Sequence, residues 1–184
     1  MASQYHPTVF TGASVDVEQR SAPWPVVIRE GVVAGVLGAT TLALWFMLLD
    51  VMAGRPLHTP TVLGTAFLRW GLEPGALDSA PVSLERVLAY TLAHGLAFAV
   101  LGVIASLFLR WQTGEANLAM GTMLFFVVFV LLEFGFRMAR AILFDSQIES
   151  EMAWERVVIG NFFGAAVMGY YLMRRLPRQT ASPV

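Results

Sequence analysis

The chain contains no cysteine and no lysine. Without cysteine there is no structural disulfide, no thiol nucleophile, no thiolate metal site and no cysteine-attached haem. Without lysine there is no Schiff-base chemistry, and all twelve basic residues are arginine. Charge of either sign is scarce. Only 14% of the residues are charged, against about 25% in an ordinary soluble domain. The net charge of −1 leaves no electrostatic footprint for nucleic acid. What fills the chain instead is apolar: 57% of the 184 residues are hydrophobic, and the mean hydropathy is positive. A soluble fold of this size cannot hide so much apolar surface, so the expected solvent is lipid.

The opening residues "MASQYHPTVFTGASVDVEQR" lack a basic stretch followed by an apolar core, so no cleavable signal peptide is expected. Residues 1–29 read as a polar N-terminal segment. The prolines of "SAPWPVV" disfavour helix, and Trp24 suits a membrane interface. A bilayer core of about 30 Å needs about 20 apolar residues in a helix. Four segments meet that length, at about 30–53, 84–110, 117–144 and 153–175. The expected fold is all-α: a four-transmembrane-helix bundle forming one domain over 30–175, followed by a C-terminal tail over 176–184.

Four spans place both termini on one side, here called side A. The opposite side B carries the long loop 54–83. Within it, Thr59 and Pro60 read as an N-cap and first helical residue. Val62, Leu63, Ala66, Phe67 and Trp70 then share a face, and Gly71 offers a stop. That pattern predicts a short amphipathic helix at about 60–71, lying on the membrane surface. Ser83 suits the N-cap of the second span. The twelve arginines divide evenly between the two sides. If Arg137 and Arg140 sit within the third span, side A leads, and positive-inside bias then makes both termini cytoplasmic.

Helices in lipid gain little from apolar burial against each other and associate over small residues. The first span carries Gly31, Gly35 and Gly38, the second Gly95 and Gly102, and the fourth Gly160 and Gly164. These stripes serve packing inside the bundle or docking of a partner chain.

Polar residues within the spans gather in the side-B half. At 1.5 Å per residue, His94 lies roughly 10 Å deep, with Tyr90 one turn nearer the surface. Glu133 stands at about 16 Å if its helix runs to Phe144. Asn161 is two turns into the last span, and Asp50 closes the first. In "VFVLLEFGFRMARAILF", Glu133 and Arg137 stand at i and i+4 with the acid first, the favourable order for an ion pair, and Arg140 follows one turn later. An unpaired charge at a helix centre costs about 2.5–3.5 kcal/mol on insertion scales. An internal pair is therefore expected, with both arginines reaching toward the side-B headgroups. His94 suits a helix-to-helix hydrogen bond, a proton carrier, or a haem or metal ligand. Membrane haem often takes two histidines, however, and the spans hold one. His6 and His58 lie outside them, and the Glu-x-x-His motif of di-iron bundles is absent.

No Gly-x-Ser-x-Gly elbow, phosphate loop or His-Glu-x-x-His motif is present, so no catalytic residue is assigned. The stretch "LLDVMAGRPLHTPTVLG", residues 48–64, resembles a segment of uncharacterised bacterial four-span inner-membrane proteins. The resemblance implies a bacterial inner membrane and carries no activity. Two readings stand. One is a non-catalytic accessory subunit of a larger membrane complex, such as a respiratory or photosynthetic electron-transfer assembly, in contact with lipids and other membrane subunits. The alternative is a stand-alone protein with an intramembrane site for a small ligand, lipid, proton or metal, built from Asp50, Tyr90, His94, Glu133, Arg137, Arg140 and Asn161.

Overall fold

The computed structural model describes residues 23–68, 82–111, 118–143 and 154–175. They form α1 (Trp24–Met52), α2 (His58–Leu68), α3 (Leu84–Trp111), α4 (Leu118–Leu143) and α5 (Trp154–Arg175). Of these, α1, α3, α4 and α5 are long and apolar enough to cross a membrane. The all-α, four-span architecture is as expected. The terminal segments, Trp70 and Gly71 fall outside the described residues.

The start of α1 differs from expectation. It lies six residues upstream of Glu30, and the prolines do not prevent it. Pro25 sits in the first turn, where a missing N–H costs no hydrogen bond. The carbonyl of Pro23 accepts from the N–H groups of Val26 (2.9 Å) and Val27 (3.2 Å). Trp24 is exposed, and the Arg110 guanidinium stacks over its ring at 4.1 Å. At the other end Gly54, with φ +71°, takes the left-handed conformation that terminates helices.

α1 is the central helix, packed against α3 on one flank and α5 on another, while α4 leans mainly on α5. Glycine sets the α1–α3 distance. A Cβ built on Gly102 would lie 2.9 Å from the Gly35 Cα and 2.6 Å from its nitrogen, and one on Gly35 would lie 2.7 Å from the Ala99 Cα. The two backbones therefore touch, and only glycine fits there. Ser106 locks the same seam: its hydroxyl contacts both the Val27 and the Val103 carbonyls at 2.9 Å. On the α1–α5 side, Gly38 accommodates Met168, and Gly160 accommodates Leu42 and Trp45. The core that results runs through Ala34, Leu42, Phe98, Leu132 and Met168.

Gly95 is the exception among the predicted packing glycines: a Cβ there would meet nothing within 4 Å. It belongs to no seam among the described residues.

α2 is the short helix expected in the first loop. Its buried residues are Thr61, Val62, Gly64, Thr65 and Ala66, whereas Phe67 is exposed. The helix thus covers Val62 and Ala66 of the expected apolar face and leaves Phe67 outside. It presses a small, hydroxyl-bearing face onto α3, where Gly64 meets the backbone of Arg86. Thr61 and Thr65 are buried without stranded donors, because their hydroxyls bond the Leu57 carbonyl (2.7 Å) and the Thr61 carbonyl (2.8 Å).

Candidate functional site

α1 and α3 touch over glycines in the side-A half. Toward side B their facing residues become large: Leu42, Phe46 and Met47 on α1, and Val87, Tyr90 and His94 on α3. The helices cannot stay in backbone contact there, and a pocket of about 180 Å³ opens between them. Leu57, Thr59 and Pro60, leading into α2, cover its side-B end. Ala43 and Thr91 on its wall are exposed, so it opens sideways, toward lipid. An apolar cavity of about 150 Å³ is large enough for benzene, so this pocket has the volume of a ring-sized group.

Its polar wall is ordered in detail. The His94 Nε2–H donates to the Ala39 carbonyl at 3.3 Å, bridging α3 to α1. A carbonyl can only accept, so Nε2 carries the proton. Nδ1 is then the acceptor, and the Tyr90 hydroxyl donates to it at 3.4 Å. No carboxylate among the described residues pairs with His94, and the neutral ring satisfies both contacts. The imidazole stacks on Tyr90 and packs against Phe98 with centroids 4.6 Å apart. Since both ring nitrogens are engaged, a metal or haem iron would have to displace one of these bonds. Among the described residues, no three His, Asp or Glu side chains come together as a metal site.

Asp50 does not face the pocket. It is 6% exposed, and its two carboxylate oxygens accept from the Thr59 N–H (2.8 Å) and the Thr59 hydroxyl (2.7 Å). It acts as a cap for α2 supplied from the preceding helix, satisfying an N-terminal donor with a charge of the favourable sign.

Glu133 and Asn161 form a separate pair. Asn161, 3% exposed, donates through Nδ2 to Glu133 Oε1 at 2.8 Å, tying α5 to α4. The expected Glu133–Arg137 ion pair is not formed among the described residues. Arg137 is exposed. Four residues on a helix bring two side chains to one flank, but they do not fix which of them turns toward the neighbouring helix. Arg140 is half-buried near the side-B end of α4. The structure thus joins Tyr90 with His94, and Glu133 with Asn161. It forms no hydrogen bond or ion pair between the two sets.

This pairing has a direct test. Glu133→Leu and Asn161→Leu should each lower stability by about 1–2 kcal/mol, and the double change should recover part of that loss. Arg137→Leu should change it by less than about 0.5 kcal/mol. Reversible unfolding in mixed micelles reads all four variants. A larger loss from Arg137→Leu than from Asn161→Leu would restore the ion pair.

Sequence reasoning missed a cluster at side A. Glu30, 6% exposed, accepts from the Tyr171 hydroxyl at 2.6 Å and from Arg29 at 2.7 Å. Arg175 stacks over Tyr171 at 5.8 Å and Arg174 over Tyr170 at 5.2 Å. The signal was present in the spacing. Val27, Glu30, Gly31, Ala34, Gly35 and Gly38 recur at three- and four-residue steps, and all are buried. Glu30 was masked because α1 was expected to begin at it. Trp45 was also missed; its indole N–H donates to the Arg156 carbonyl at 2.9 Å.

No family model, curated protein or solved structure matches the chain.

Proposed function

We propose that the protein is a multi-pass membrane protein that holds a small, largely apolar molecule drawn from the bilayer in the pocket between α1, α2 and α3. The observation that carries this reading is a ring-sized pocket that opens sideways from an otherwise apolar helix pair and has Tyr90, Thr91 and His94 on its wall. Binding sites for small molecules have this character: mostly apolar walls with a few placed polar groups.

The accessory-subunit reading rested on the lack of a catalytic motif together with small-residue faces and aromatic-rich spans. Most of those small-residue faces close onto each other within the chain: Gly31 and Gly35 onto α3, and Gly38 and Gly160 onto the α1–α5 seam. What remains in its favour is α4. Its Gly135 meets nothing within 4 Å, and Phe126, Val130 and Phe134 are exposed. A host complex, respiratory or photosynthetic, would dock on that helix. For location we propose a bacterial inner membrane with both termini cytoplasmic, because α4 extends past Arg137 and Arg140 to Leu143, and without those two the remaining arginines favour side A.

Ala43→Trp tests the ligand reading. Ala43 lines the pocket and is exposed, so an indole can fill the space without entering a helix seam. Native mass spectrometry of protein released from nanodiscs should show a tightly held apolar adduct on the wild type and its loss in Ala43→Trp, with helicity unchanged. Equal adducts on both proteins would defeat the assignment of the pocket.

A further inference from the structure

The donors and acceptors on the pocket wall restrict what it holds. A hydroxyl has one hydrogen to give and two lone pairs to receive with. The Thr91 hydroxyl gives its hydrogen to the Val87 carbonyl at 2.7 Å. The Thr59 hydroxyl gives its own to Asp50. The Tyr90 hydroxyl gives its hydrogen to His94 Nδ1, because the Nε2–H of that ring is committed to Ala39. Each side-chain hydrogen on the wall is therefore engaged within the protein, while lone pairs on three oxygens remain. No carboxylate lines the pocket, so an ammonium group would enter it without a counter-charge.

We infer that the pocket selects a neutral ligand bearing a hydroxyl group on a ring-sized apolar body, and discriminates against a carbonyl or ether of the same shape. The inference rests on the ligand-binding reading above. An alcohol donates to a Thr or Tyr oxygen, and that bond offsets what its own oxygen gives up on entering. A ketone brings an acceptor to a wall of acceptors, and its oxygen leaves water without a partner. His94 acts as a positioning residue: it holds the Tyr90 hydrogen away from the ligand and makes the Tyr90 oxygen an acceptor.

Cyclohexanol and cyclohexanone are matched probes, with the same ring and a hydroxyl in place of a carbonyl. Titration by saturation-transfer NMR on the full chain in nanodiscs of deuterated lipid measures both, and Ala43→Trp provides the correction for partitioning into the bilayer. The wild type should hold cyclohexanol about threefold to tenfold more tightly than cyclohexanone, the effect of one ordinary hydrogen bond. His94→Phe frees the Tyr90 hydrogen, so cyclohexanone should gain and the preference should shrink toward parity. Equal or tighter binding of cyclohexanone by the wild type overturns the inference and leaves the pocket standing. A preference that survives unchanged in His94→Phe also overturns it. If neither probe separates the wild type from Ala43→Trp, the ligand-binding reading itself falls.

Discussion

Gly102→Leu should separate α1 from α3 and cost at least about 3 kcal/mol. A side chain at this position has no cavity to enter. Its first carbon already lies 2.6 Å from the Gly35 nitrogen, and backbone cannot rotate aside as a flexible side chain can. Overpacking of ordinary cores costs about 1–3 kcal/mol, and this site lies beyond that range because the clash is between main chains. Close approach is also the main source of attraction between helices in lipid, so the variant loses contacts along the whole seam, including the Ser106–Val27 bond. Gly95→Leu, on the same helix but facing open space, should change stability by less than about 0.5 kcal/mol. Unfolding of both variants in mixed micelles makes the comparison. A Gly102→Leu protein as stable as Gly95→Leu would show that the seam does not govern the fold.

Asp50→Ala should release α2. The carboxylate accepts two hydrogen bonds from Thr59, and bonds to a charged acceptor are worth about 1.5–3 kcal/mol. We expect a local loss of about 2 kcal/mol, which corresponds to about thirtyfold faster amide exchange across residues 58–68. Asp50→Asn keeps one acceptor oxygen and should lose less. Exchange elsewhere in α1 should not change, because the glycine seam lies at the other end of that helix. Unaltered exchange in α2 after Asp50→Ala would mean that the contact of Gly64 with Arg86 holds the helix by itself.

The spans were legible because lipid imposes a length: runs of apolar residues marked the places of α3, α4 and α5. α1 was misjudged at its start because proline there was read as a breaker, although the first turn of a helix tolerates it. The polar half was legible by depth, since Tyr90, His94, Glu133 and Asn161 could be placed by counting residues from a helix end. Their partners were not. In a soluble helix the apolar stripe shows which face turns inward. Here every face is apolar, and the rotation of α4 about its axis left little trace in its sequence. The i, i+4 relation between Glu133 and Arg137 was real, but Asn161 on the next helix took the carboxylate. The contact of α2 with α3 was not legible either: it runs through Thr61, Gly64 and Thr65, outside the apolar face that marked the helix.

The position of α1 between α3 and α5 bears on the order in which these four spans can pack. Of the four, α1 is synthesised first, and its two working faces wait longest. Its α3-facing glycines stay uncovered until Gly102 arrives, and Gly38, Leu42 and Trp45 wait for the last helix. Glu30 waits for Tyr171, 141 residues further along. A chain interrupted before α5 therefore keeps a carboxylate near the membrane edge of α1 without the hydroxyl that joins it to the bundle. It also keeps an indole N–H, that of Trp45, without the Arg156 carbonyl. The Tyr171–Glu30 bond marks the meeting of α1 with α5, 141 residues apart in the chain.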